Sequence, residues 1–142
     1  MLGDGGALRQ GGAPVYRNIV VPIDAECPDA AAAAFDTALS IARSSDAALS
    51  VVSIQADGAA AGSPAHRRKL AAFLRQHGGR GSIREIRQVR GPFSIGTHSA
   101  VRELEADLIV TTSRDLHFAD CLIGPDATHL AMFTPCSVLL VR

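Results

Sequence analysis

The sequence predicts an α/β fold: an open, mostly parallel five-stranded sheet with helices on both faces. Short apolar runs alternate with helix-patterned stretches along nearly the whole chain. The first runs, residues 18–23 and 48–54, are almost continuously apolar, as parallel strands covered on both faces require. Gly, Pro and Ser punctuate the junctions. Right-handed crossovers then lay each helix against the sheet.

Residues 18–23, Asn-Ile-Val-Val-Pro-Ile, form the first strand. Pro28-Asp29 offers an N-cap to a helix over residues 30–43, where Phe35, Ala38, Leu39 and Ala42 recur at i, i+3, i+4 and i+7. Residues 48–54 are the second strand, followed by a loop of mostly small residues. Ser63-Pro64 is an N-cap and N1 pair that opens a helix to about His77. Residues 82–89 read as a strand: Ile83, Ile86 and Val89 recur every third residue between Gly81 and Gly91-Pro92. Pro92 starts a helix with Ile95, Val101 and Leu104 as its buried stripe, ending at Ala106. A strand over 107–112, a helix over 126–133 and a strand over 137–141 close the chain.

A length of 142 residues fits one domain, assigned to residues 15–142 after a flexible Gly- and Ala-rich tail over 1–14. That tail lacks the apolar segment of a secretory signal or membrane anchor. Fourteen basic side chains balance fourteen acidic ones, so no net charge draws the chain to nucleic acid or to a membrane. Cys27, Cys121 and Cys136 lack the short paired spacing of a zinc or redox site and read as free thiols of a reducing, cytoplasmic compartment.

In open parallel sheets, ligands bind beyond the carboxyl ends of the strands, where strand order reverses. The loops after Ile23 and Thr112 are therefore the first candidates. Four segments there and nearby, Arg17-Asn-Ile-Val-Val-Pro-Ile-Asp24, Val89-Arg-Gly-Pro92, Ala106-Asp-Leu-Ile-Val110 and Pro135-Cys-Ser-Val-Leu-Leu-Val141, resemble the universal stress protein family over about residues 16–142. The resemblance implies strand order 3-2-1-4-5 and a homodimer in which the last strands pair antiparallel, burying Val138, Leu140 or their neighbours. It also implies a nucleotide site around Pro22, Ile23, Asp24, Ile54, Thr111, Thr112, Arg114, Asp115, Gly124 and Pro125.

The family's phosphate loop has the pattern Gly, two residues, Gly, nine residues, Gly, then Ser or Thr; its glycines let backbone amides approach phosphate. Here Thr112 and Asp115 stand at the first two glycines, and Gly124-Pro125 aligns with the closing pair one residue early. Asp115 brings like charge to a polyphosphate, and Pro125 supplies neither hydroxyl nor amide donor.

Asp24 either holds ribose hydroxyls or terminates its strand and bonds nearby amides. Ile54 lies either against adenine or in the core. Arg114 meets an anion or water, and Thr111, Thr112 and Ser113 bond a ligand or local backbone. His117, Cys121 and His129 have weak metal-ligand spacing, and no Ser, His and Asp set carries a nucleophile motif. The expected function is a non-catalytic regulatory or interaction domain with weak or absent ATP binding and no cofactor. The alternative is an adenine-nucleotide binder that uses ATP with Mg and hydrolyses it slowly. A third reading makes the chain half of a larger tandem protein.

Overall fold

Five strands, β1 (Asn18–Asp24), β2 (Ala48–Gln55), β3 (Ile83–Arg90), β4 (Leu108–Thr112) and β5 (Ser137–Val141), form one sheet in the order β3-β2-β1-β4-β5, with every neighbouring pair parallel. The computed structural model describes residues 15–55, 63–112 and 125–142; the expected tail over 1–14 lies outside them. Between the strands run α1 (Ala32–Ser45), α2 (Pro64–Gln76), α3 (Phe93–Leu104) and α4 (Pro125–Phe133). The expected fold class, strand order and order of elements are all present.

Period-two alternation sends the strand side chains into two cores. Ile19, Val21 and Ile23 join Leu49, Val51, Leu108 and Val110 beneath α1 and α2, where Phe35, Phe73 and Leu74 fill the layer. Val20, Val52, Ile54 and Ile109 pack on the other face against Phe93, Ala100, Val101 and Leu130 of α3 and α4. Gly96 lets α3 sit close to the sheet, since a Cβ there would lie 3.1 Å from Val89 Cγ1.

The three-residue recurrence in β3 has a physical cause. The register steps from Leu49↔Ile83 to Ser50↔Glu85, so Arg84 is an extra residue in a bulge. Ile83 and Ile86 therefore share the α2 face despite their odd spacing, whereas Val89 packs beneath α3.

Three local expectations are corrected. Asp29 caps no helix: a 3-10 turn over Pro28–Ala31 takes up that segment, and α1 begins at Ala32 without a side-chain cap. Ile95 is 57% exposed. It lies about 240° around the helix from Val101, six residues on, so the two cannot share a stripe; Thr97, Ala100 and Val101 form it instead. α3 also ends at Leu104, where Glu105 adopts a left-handed conformation (φ 54°). Ser63 does cap α2, its hydroxyl accepting from the His66 N–H.

Candidate functional site

The crevice at the strand-order reversal follows from one residue. β1 and β2 stay in register to Asp24↔Ile54, but the β1–β4 pairing ends at Val20↔Ile109. Pro22 stands just beyond that point and has no N–H to extend a second ladder. The two central strands therefore lose their pairing toward their carboxyl ends. Strand order reverses between them, so this is where the fold offers a ligand crevice. At their starts they are held together, because the Asp107 carboxylate accepts from Arg17 N (2.9 Å) and Asn18 N (3.0 Å).

Asp24 ends β1 and Thr112 ends β4, one on each side of that opening. The Asp24 carboxylate accepts from the Glu26 N–H at 2.9 Å, and its carbonyl accepts from Cys27 N at 3.1 Å. Ala25 N donates to the Ile54 carbonyl at 2.9 Å, fixing the turn to the end of β2. From the opposite rim Thr112 Oγ1 donates to the Ala30 carbonyl at 3.1 Å, bridging the end of β4 to the 3-10 turn after β1. Thr111 is buried, with its hydroxyl 3.4 Å from the Thr112 carbonyl.

The remaining candidates divide clearly. Pro22 and Ile23 are buried in β1, Ile23 within the α1–α2 core. Ile54 is 3% exposed and packs into the α3 core. Pro125 opens α4. Ser113, Arg114, Asp115 and Gly124 lie outside the described residues, as do His117 and Cys121. Among the described residues no three His, Cys, Asp or Glu side chains gather to hold a metal ion, and no helix of those residues is long and apolar enough to cross a membrane.

Sequence reading missed a polar relay on the same rim. His66 Nε2 lies 2.5 Å from Glu26 Oε1, and His66 Nδ1 lies 2.6 Å from Gln55 Nε2. An amide N–H aimed at Nδ1 makes that nitrogen the acceptor, which leaves the ring proton on Nε2 to be donated to the carboxylate. Lys69 Nζ adds a bond to the Glu26 carbonyl at 3.3 Å. The relay ties the β1 loop to the first turns of α2 across the end of β2, where Gln55 is 3% exposed. Its members are 11 and 40 residues apart, so no local motif announces it.

The family model described as the universal stress protein family matches residues 15–142. The chain belongs to the universal stress protein family. A universal stress protein solved in complex with cAMP shares 24% identity, covering 89% of this chain and 97% of its own, with a TM-score of 0.63. UspA from Lactobacillus plantarum is 22% identical over 89% of this chain and 98% of its own (TM-score 0.61). A family member from Burkholderia pseudomallei is 23% identical over 89% and 96% (TM-score 0.60). At these identities the structures establish the shared universal stress protein fold. No curated protein matches the chain.

Proposed function

We propose that this universal stress protein domain acts as a regulatory or interaction module whose nucleotide loop has lost its hold on ATP. The observation that carries the reading is the bond from Thr112 Oγ1 to the Ala30 carbonyl. Thr112 stands where the family pattern has its first glycine. A side chain there takes up space that a glycine leaves for phosphate, and its hydroxyl already has a partner across the crevice. Two further features act in the same direction. Asp24 turns one carboxylate oxygen back to Glu26 N, and the exposed Glu26 side chain places a second carboxylate on the rim, both unfavourable to a polyphosphate. The reading needs no cofactor and places the domain in the cytoplasm as a homodimer joined through β5, the edge strand on which Leu139 is 37% exposed.

A second reading keeps a nucleotide at the crevice, with ATP and Mg as the alternative ligand. It is favoured by the half-buried position of Asp24 at the end of β1, and by the relative solved with cAMP, a ligand with a single phosphate.

The deciding experiment restores the loop. Changing Thr112 and Asp115 to Gly and Pro125 to Ser should strengthen ATP binding at least about tenfold, worth about 1.4 kcal/mol. A folded triple variant with no gain in affinity would count against the loop as the cause. Mass spectrometry of the purified protein should meanwhile find no co-purified ATP; a stoichiometric nucleotide would favour the second reading.

A further inference from the structure

The net neutrality of the chain conceals a strong segregation of charge. Between Pro64 and Arg90 fall eight of the fourteen basic residues and one of the fourteen acidic residues. This segment is α2 and β3, at one edge of the sheet. Its lone carboxylate, Glu85, is committed to Arg87 (2.6 Å), which also meets Glu103 of α3 at 2.6 Å. That network lies on the α3 face. On the α2 side Arg68, Arg75 and Arg90 are exposed, whereas Arg84 donates to Asn18 Oδ1 at 3.2 Å.

Between these charges runs an apolar groove of about 250 Å³, lined by Leu70, Ala71 and Leu74 of α2 and Ile86 of β3, with Arg67 and Gln88 at its rim. Ile86 is 46% exposed, unusual for a β-branched residue on a strand whose neighbours fill a core. The bulge at Arg84 is what turns it to this side. The groove is smaller than the roughly 300–1,000 Å³ of pockets for drug-sized ligands and suits one or two aliphatic side chains. Beside it, among the described residues, β3 pairs only with β2, so its outer backbone edge can take another strand.

We propose that the β3 edge and the α2–β3 groove form a docking surface for an extended acidic segment of a partner protein, which adds a strand to β3, seats an aliphatic side chain on Ile86 and Leu74, and sets carboxylates against the flanking arginines. Charge complementarity selects an acidic partner. A single-stranded nucleic acid would want aromatic platforms, and the groove lining holds none. A bilayer would want a broad apolar face, whereas this site is a narrow cleft between charges. The proposal is independent of nucleotide binding, since it uses neither Asp24 nor the β4 loop.

The test is fluorescence anisotropy with a labelled eight-residue peptide alternating Glu and Val, alongside its Lys-for-Glu counterpart. The intact protein should bind the Glu peptide, more weakly as salt rises, and should ignore the Lys peptide. Ile86→Asp and, separately, Arg90→Glu should each weaken binding at least about tenfold; both sites are exposed, and circular dichroism verifies the fold. Equal affinity for the two peptides, or unchanged binding by both variants, would overturn the proposal. So would binding of phosphatidylserine vesicles or a single-stranded oligonucleotide without binding of the Glu peptide, or an Ile86-dependent dimer with no peptide bound.

Discussion

Thr112 on β4 donates its hydroxyl to the carbonyl of Ala30, on the turn after β1, at 3.1 Å. The bond spans 82 residues of sequence and ties the end of β4 to the turn after β1. Of the two partners open to this hydroxyl, a ligand or the backbone, it takes a backbone carbonyl. Thr112→Val keeps the shape and deletes the bond, so it should cost about 0.5–1.5 kcal/mol in urea unfolding with an unchanged m-value. No loss of stability would mean the tie is idle.

The relay on the same rim carries a stability of its own. His66→Ala removes a partner from the Gln55 side chain, which is 3% exposed, and releases Glu26 from α2. The expected loss is about 1–3 kcal/mol by chemical denaturation, because a buried polar group deprived of a partner bears its desolvation penalty. A variant as stable as the parent would show that water replaces the ring.

Assembly is testable at β5. Its backbone pairs with β4 through Val110↔Leu139 and Thr111↔Leu140, and its other side is the sheet edge. Successive N–H groups of a strand point in opposite directions, so of Leu139→Pro and Leu140→Pro one deletes a donor to β4 and the other an outward donor. The outward one should keep its circular dichroism and lose the dimer in light scattering. A parent protein that is monomeric at high concentration would refute the pairing.

Cys136 offers a pH-dependent readout. Burial pushes its thiol above the ordinary 9.0, the charge of Asp107 pushes the same way, and a hydrogen bond with Thr134 partly opposes them. The native state thus holds the proton more tightly than the unfolded chain. Its contribution to stability is full below the unfolded thiol value and is lost as pH rises from about 9.0 through the higher native value. Peptide-resolved iodoacetamide labelling near neutral pH should therefore modify exposed Cys27 well before Cys136, and Cys136 should gain reactivity only at higher pH. Equal rates at neutral pH would contradict this.

Much of the fold was legible because burial and period coincide. β1 and β2 read as doubly covered strands, and the Ser63-Pro64 pair marked the start of α2 to the residue. Ile95 was misplaced because Pro92 signalled a helix without fixing its rotation, which Phe93 and Thr97 set by packing. The bulge at Arg84 was present only as an odd three-residue spacing, and an extra residue in a ladder cannot be told from a change of period without its partner strand. Toward the candidate site, the crevice rule pointed to the loops after Ile23 and Thr112, and the family resemblance to Asp24. Neither pointed to Glu26, His66 or Gln55, since three elements bring them together and none carries a motif.

The proposed loss of ATP binding at this crevice is tested most directly by calorimetric titration of the unmodified protein with ATP and magnesium. The expected dissociation constant is about millimolar or weaker, about 4 kcal/mol of binding free energy at most. A micromolar constant with one site per chain would contradict it.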